Sequence, residues 1–130
     1  MTNNIEAENL VDVPAASEYK TALLACRGRL LTDKQLVMLK QNYYARDHTV
    51  VAGDLARTAG FSTFSSANLQ YGKYAGHLCA ALNVKPPGSN LAILVRFSGA
   101  ERTNDENIQW TLHPEVVQAL EELGWVRKRE

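Results

Sequence analysis

The sequence has little that would assign it to a secreted, membrane-bound or metal-binding class of protein. It contains two cysteines, Cys26 and Cys79, both among apolar neighbours, which argues against a disulfide framework or a four-ligand zinc site. No apolar run approaches the roughly 18 residues that a membrane span requires, and the first ten residues lack the pattern of a secretory signal. We therefore expect a cytoplasmic protein with no membrane association and with both cysteines in its core.

Patterns that support catalysis or cofactor binding are also missing. The histidines His48, His77 and His113 lie in different predicted elements, and no HxxxH, HExxH or CxxC spacing occurs. There is no glycine-rich phosphate loop, and the paired carboxylates Glu121 and Glu122 fall at a helix end where water would solvate them. Without a nucleophile or a set of metal ligands, we expect no enzymatic activity, no metal and no cofactor.

The chain also lacks net charge, because 14 basic residues balance 14 acidic ones. That balance argues against a uniformly basic nucleic-acid coat protein, but it conceals an asymmetry. Residues 1–18 carry four acidic residues and no basic ones, whereas residues 19–80 carry eight basic residues against three acidic ones, a net charge of +5. A surface that faces a polyanion is therefore expected in the middle of the chain.

The length of 130 residues and the hydrophobic content of 45% are sufficient for one domain with a hydrophobic core. The N-terminal stretch is polar and shows neither a helical nor a strand period. Residues 1–16 are therefore predicted to form a flexible acidic tail, and residues 17–130 a single domain.

Four helices are predicted in the first two thirds of the chain. Ser17 is expected to cap the first helix, and Thr32 with Gln35 forms a capping box at the start of the second. The third helix is short and covers about residues 52–59. The fourth covers about residues 65–82 and is ended by the KPPGSN segment.

Beyond the Pro-Pro-Gly break, the hydrophobic period changes from 3.6 residues to two. Large apolar side chains stand at every second position of residues 91–97 and 108–112, which predicts two strands. A long polar hairpin tip would join them. Pro114 begins a last helix that Gly124 closes. The predicted fold is α+β and mainly helical, a winged helix-turn-helix with four helices, a β-hairpin wing at residues 91–112 and a C-terminal helix.

The link between the third and fourth helices has the chemistry of a helix-turn-helix. Ala56 is small where the two helices would cross, and Gly60 follows where the turn requires a positive φ. Leu55, Ala59 and Phe61 supply the apolar positions between the helices. A small residue followed by glycine at this spacing also occurs at many helix ends, so an unrelated helical corner is the alternative.

The polar face of the fourth helix is the predicted site for double-stranded DNA, because a helix of this kind enters the major groove. Hydroxyl side chains at its start suit phosphates, Gln70 suits adenine, and Lys73 suits a phosphate or guanine. Two arginines of the wing would reach the DNA backbone or minor groove. The predicted DNA-binding residues are Ser62, Thr63, Ser65, Ser66, Gln70, Lys73, His77, Arg96 and Arg102. The alternative is a solvated helix face without a ligand.

Three residues on the same side of this helix suit a closely packed partner better than water. Leu69 is large and apolar, while Gly72 and Gly76 each cost up to about 1 kcal/mol relative to alanine in a helix interior. The partner would be the protein's own first helix, a second subunit or a foreign protein. The rival hypothesis is therefore a small protein-interaction module, or a phage-encoded inhibitor of a restriction or CRISPR effector complex, that binds through these three residues.

The run ANLQYG at residues 67–72 and the closing PEV…LGWV are the most specific parts of a wider resemblance. Over about residues 30–126, the chain resembles an accessory module associated with bacterial HNH-type endonucleases, including modification-dependent restriction enzymes. In that family the module precedes a nuclease or base-reading domain and looks like a winged helix-turn-helix. By this resemblance Asn68, Tyr71 and Gly72 belong to the motif, and a role in restriction–modification or phage defence is implied.

The chain departs from the pattern of that family in two respects. It carries no second pair of histidines and no metal cluster, so no nuclease is expected. Val51 stands where the family has a helix-capping threonine, which puts in doubt the rigidity of the start of the third helix unless Thr49 takes that role. The sequence therefore predicts a non-enzymatic module, with DNA or a nuclease or effector-complex protein as its partner.

Overall fold

Helices account for most of the regular structure in a computed structural model of the protein, which describes residues 8–28, 30–103 and 105–128. These residues form five α-helices and one three-stranded antiparallel sheet, which confirms the predicted α+β, mainly helical class. In chain order the elements are α1 (Ala16–Ala25), α2 (Asp33–Tyr44), β1 (Thr49–Val51), α3 (Ala52–Thr58), α4 (Phe64–Leu82), β2 (Val95–Ser98), β3 (Gln109–Leu112) and α5 (Pro114–Glu122). Within these described ranges, none of the helices has the length and hydropathy that a bilayer crossing demands.

The sheet has the strand order β1–β3–β2, and β3 is antiparallel to both of its neighbours. In the middle strand, β3, Trp110 lies opposite Val50 in β1 and Phe97 in β2. The sequence predicted the second and third strands only in part and missed β1. Three residues are too few to show a period of two, and β1 exists because β3 supplies its hydrogen-bonding partner.

All five helices and the sheet contribute buried residues to one hydrophobic core. Trp110 is fully buried, and its ring centroid is 5.6 Å from that of Tyr71 in α4. The inner face of α4, which a period of 3.6 residues defines in the sequence, carries five fully or nearly fully buried residues, which are Ala67, Tyr71, Tyr74, Ala75 and Leu78. Both cysteines are buried and free, as predicted. Burial raises the pKa of the Cys79 thiol to about 11, so the reactive thiolate is disfavoured.

Asn42 is the most connected buried polar side chain of the core and is fully enclosed. Its Nδ2 donates hydrogen bonds to the carbonyl oxygens of His48, at 2.9 Å, and Trp110, at 3.2 Å. Its Oδ1 accepts a hydrogen bond of 3.1 Å from the Tyr71 hydroxyl. One amide therefore joins α2, the turn before β1, strand β3 and α4, and satisfies three polar groups, of which those of Trp110 and Tyr71 are fully buried.

The segment before β2 differs from its predicted strand. Asn90–Ile93 forms a 3-10 turn, and the four apolar residues 91–94 are all buried, so burial does not alternate there. A continuous apolar run is compatible with a buried turn as well as with a strand. The strand begins only at Val95, so the hairpin spans residues 95–112 and the prediction of a wing from residue 91 was wrong at its start.

Among the predicted helix starts, the cap of α2 is confirmed, whereas those of α1 and α3 are corrected. Thr32 and Gln35 form the predicted capping box of α2. The first helix is capped not by Ser17 but at Ala15, whose N–H donates 3.0 Å to a Glu18 carboxylate oxygen. Because Glu18 lies three residues inside the helix, its side chain reaches back to this orphan donor.

The start of α3 is stabilised by the hairpin rather than by a side chain. Its cap residue, Val51, makes no side-chain cap bond, and the Thr49 hydroxyl contacts Thr111 instead of capping the helix. The backbone N–H groups of Ala52 and Gly53 donate to carbonyl oxygens in the segment that precedes β3, at 2.9 and 2.7 Å. Although position 51 lacks a capping threonine, tertiary contacts satisfy these two donors.

The N-terminal segment is in part outside the described residues and in part packed on the sheet. Residues 1–7 of the predicted tail lie outside the described part of the chain. Asn9 lies at the open edge of β2, where its Oδ1 accepts from the Phe97 N–H at 2.8 Å and its Nδ2 donates to the Phe97 carbonyl at 3.3 Å. Pro14 is buried. Residues 8–15 therefore contact the domain, because an edge strand offers backbone groups that an amide side chain can satisfy.

His113, the cap residue of α5, predicts a pH dependence of stability. It is buried, and its Nε2 lies 2.7 Å from the Ala92 carbonyl oxygen. Burial lowers the pKa of His113, although the bond to Ala92 opposes that shift. Since the unfolded state binds the proton more readily, stability should be constant above the unfolded pKa of about 6.5 and fall as the pH drops below it.

The measurement is urea denaturation between pH 8 and pH 5. One differential proton contributes at most about 1.4 kcal/mol per pH unit. His113→Gln should remove this component, whereas His77→Gln, at an exposed position, should retain it. An unchanged pH slope in the His113→Gln protein would contradict the assignment.

Candidate nucleic-acid interface

Two local features predicted for the corner between α3 and α4 are present in the structure. Gly60 has a φ of +85°, and the backbone N–H of Phe61 donates 3.0 Å to the Ala56 carbonyl. Ala56 and Leu55 are each 2% exposed, so the small residue and its neighbour are enclosed where the helices meet. A residue with a β-carbon at position 60 would be strained, because positive φ favours glycine.

The start of α4 uses two of the predicted hydroxyls for its own cap. The Thr63 Oγ1 accepts a hydrogen bond of 3.0 Å from the Ser66 N–H and donates one of 2.9 Å to the Ser66 hydroxyl. Ser62 and Ser65 are exposed at the same end. Thr63 and Ser66 therefore hold the helix start at an exposed end, and Ser62 and Ser65 present their hydroxyls to solvent beside them.

A hydrogen bond from α2 supports the middle of α4. The Nε2 of Gln35 donates a 3.0 Å hydrogen bond to the Gln70 backbone carbonyl, in the middle of α4. Lys73 and His77 are exposed, Gln70 is half-buried, and no acidic residue occurs in the 19-residue helix. The helix thus presents one continuous outer side to solvent, which carries Ser65, Leu69, Lys73 and His77.

Lys34 places a cation beside the turn before α4, which the sequence did not predict. Its Nζ donates 3.2 Å to the Gly60 carbonyl and lies 4.6 Å from the centre of the Phe61 ring. The lysine belongs to α2, 26 residues before the turn. No local pattern predicts this contact, because the packing of α2 against α3 creates it.

The two glycines on the outer side of α4 have different surroundings. A β-carbon at Gly72 would have no neighbour within 4 Å, whereas one at Gly76 would lie 3.2 Å from the Asn90 Nδ2. The close neighbour of Gly76 is therefore the turn before β2 and not α1, which corrects that part of the prediction. Leu69 is 57% exposed, and the surface between it and Gly72 is open among the described residues.

Arg96 does not share a surface with the outer side of α4. Along β2, Val95 and Phe97 are buried and Arg96 between them is exposed. Since successive side chains alternate across a strand and Phe97 faces the core with Trp110, Arg96 points to the other side of the sheet. Period-two patterning could have placed it there. The structure does not bring Arg96 together with Lys73.

The hairpin tip is acidic rather than basic. Arg102 is exposed there, as predicted, but the described part of the loop also carries Glu101, Asp105 and Glu106. One cation against three carboxylates leaves a net charge of −2. This charge opposes a phosphate contact at the tip. Lys73 in α4 and Lys34 beside the turn before it remain as candidate phosphate contacts.

A cleft of about 480 Å³ lies between the outer side of the sheet and α5. Its lining includes Arg96, Glu121 and the consecutive residues Asp47 and His48, both of which have a φ of +55°. The His48 Nδ1 is 2.5 Å from the Tyr43 carbonyl oxygen. Across the described residues, no group of three or more His, Cys, Asp or Glu side chains could hold a metal ion.

The chain matches no protein-family model, and neither the curated proteins nor the solved structures include a match to it.

Proposed function

We propose that the protein is a non-enzymatic winged helix-turn-helix module that binds double-stranded DNA with α4 as its recognition helix. The observation that carries the proposal is the outer side of α4, which is exposed over its length, free of carboxylates and fixed from behind by the core. The element order of two helices joined at Gly60 and followed by a β-hairpin supports it. An α-helix fits the major groove, where its side chains reach the base edges.

Charge implies weak, salt-dependent binding. Lys34 and Lys73 lie near the proposed interface, whereas the hairpin tip is acidic. Each neutralised phosphate contributes about −0.9 to the slope of log K against log salt. With two or three such contacts, we expect a slope of about −2 to −3. DNA contacts are therefore proposed for α4 and the preceding turn, with Arg96 outside the interface.

A mobility-shift titration of a mixed-sequence duplex at low and moderate salt tests the proposal. Lys73→Ala should reduce the salt slope by about 1, because it removes one phosphate contact. Gln70→Ala should alter sequence preference more than overall affinity. Lys20→Ala is the control, because Lys20 lies on α1, where it pairs with Glu122 of α5 and not with the proposed interface. The absence of any shift at low salt would overturn the proposal.

A protein partner is the second candidate, and Leu69 and Gly72 favour it. A leucine that is 57% exposed beside an open glycine allows another backbone to approach closely. This candidate includes an inhibitor of a restriction or CRISPR effector complex. Affinity capture from cells discriminates the two: a stoichiometric protein complex that survives nuclease treatment favours the protein partner, and nuclease-sensitive recovery favours DNA.

The likeness of the ANLQYG run to modules of HNH-type endonucleases supports a link with restriction–modification. In this chain, Tyr71 of that run is buried against Trp110, while Asn68 is half-buried and Gly72 has open space beside it. The run thus combines a core residue with residues next to the proposed interface. We infer that it both builds the domain and shapes its binding side.

A further inference from the structure

Glu8 joins three separate parts of the chain through one carboxylate. Its Oε2 accepts a hydrogen bond of 3.0 Å from the Ser89 N–H, in the connection between α4 and β2. The same oxygen lies 3.5 Å from the Thr103 hydroxyl, which belongs to the hairpin tip. A β-carbon at Gly88 would collide with this carboxylate, so glycine at position 88 makes room for it.

Asn9 continues the same contact along the sheet. Its side chain makes both a donor and an acceptor bond with Phe97, as a neighbouring strand would. Leu10 and Val13 pack against the core. We call residues 8–13 the strap, because they cross the open edge of β2 and end on the hairpin tip.

We propose that the strap is an autoinhibitory contact that holds the hairpin tip in a conformation unfavourable to DNA. The inference rests on the proposed DNA binding. Glu8 contacts Thr103, the neighbour of Arg102, and adds a fourth carboxylate to a tip that already carries Glu101, Asp105 and Glu106. Release of the strap would take one negative charge away from the tip, which would reduce the repulsion between the tip and a phosphate near Arg102.

The hydrogen bonds that hold the strap are only partly shielded from water. The bonds from Glu8 and Asn9 are all partly buried, and Glu8 and Asn9 themselves are half-exposed. Segments of this kind open locally at a lower cost than the whole domain unfolds. The strap is therefore a part of the chain that can leave the hairpin while the core remains folded.

Three variants of the full chain test the inference. Gly88→Ala displaces the Glu8 carboxylate without any change of charge, and Glu8→Gln removes the charge while keeping an acceptor oxygen. Glu101→Gln is the control, because it removes one charge from the tip outside the strap. The measurements are amide hydrogen exchange at Ser89 and Phe97 and the dissociation constant for a mixed-sequence duplex at low salt.

Gly88→Ala should speed exchange at Ser89 by about tenfold or more and tighten duplex binding by about threefold. Glu101→Gln should leave exchange unchanged. The inference is overturned if Gly88→Ala leaves exchange unchanged, or if it speeds exchange without tightening binding. If neither the wild type nor any variant binds the duplex, the proposed function fails as well, whereas failure of the strap alone leaves wild-type binding intact.

Discussion

Replacement of Asn42 by leucine is expected to lower the free energy of unfolding by about 3–6 kcal/mol. Leucine has a similar volume, but it cannot bond the carbonyl oxygens of His48 and Trp110 or the Tyr71 hydroxyl. The Trp110 carbonyl and the Tyr71 hydroxyl are buried, and each costs about 1–3 kcal/mol when left without a partner, while the partly buried His48 carbonyl adds less. Because whole domains are stable by about 5–15 kcal/mol, the variant should be close to unfolding at 25 °C.

Urea denaturation of four proteins measures this effect. Tyr71→Phe removes one hydroxyl and should cost about 1 kcal/mol. In the double variant Asn42→Leu/Tyr71→Phe, no hydroxyl is left without a partner. The decrease in the free energy of unfolding should therefore be smaller than the sum of the decreases in the two single variants. A loss below about 1 kcal/mol for Asn42→Leu would show that the buried network contributes little.

Local sequence patterns predicted the elements whose causes are themselves local. The capping box at Thr32 and the positive φ at Gly60 each depend on residues that are close in the chain. The inner face of α4 follows from a period of 3.6 residues that extends over 19 residues. These features required no knowledge of the tertiary fold.

Features that depend on distant residues could not be predicted in the same way. β1 needs β3 as its partner, and Asn42 meets Trp110 across 68 positions of sequence. Asn9 pairs with Phe97 across 88 positions. An isolated asparagine or a three-residue strand has no periodic signal, so its role appears only when the chain has folded.

The candidate site divides along the same line. Ser65, Lys73 and His77 share the outer side of α4 because of helical geometry, and the sequence predicted them correctly as exposed. Arg96 was assigned to the interface from its charge, although the alternation in β2 places it on the far side of the sheet. Charge alone does not place a side chain, and the direction of each strand face must be considered with it.

The acidic N-terminal region, predicted as a flexible tail, in part packs on the folded domain. A deletion of residues 1–16 would remove the bonds of Asn9 with β2 and the Ala15 cap of α1. Such a deletion would change stability and charge together. The Gly88→Ala and Glu8→Gln variants separate these effects, because each leaves the strap sequence otherwise complete.

Leu69 offers the largest expected change in binding and separates the two candidate partners. On the outer side of α4, Leu69→Glu should weaken duplex binding by about tenfold or more at low salt, and Leu69→Lys should strengthen it severalfold. The reason is that the new charge faces the phosphates in both variants, with opposite sign. An apolar contact with a protein partner would instead be lost in both variants, because either charge must be desolvated.

The matched control is the same pair of substitutions at Val37. This residue is 40% exposed on α2 and lies two positions from Gln35, which faces α4, so it points to the opposite side of the helix. Thermal unfolding should show nearly equal stability for all four variants, because both positions are exposed. Equal changes at Leu69 and Val37 would contradict the assignment of the interface to α4. Weaker duplex binding by Leu69→Lys would contradict a phosphate-facing position for Leu69, and the apolar contact would then be the better explanation.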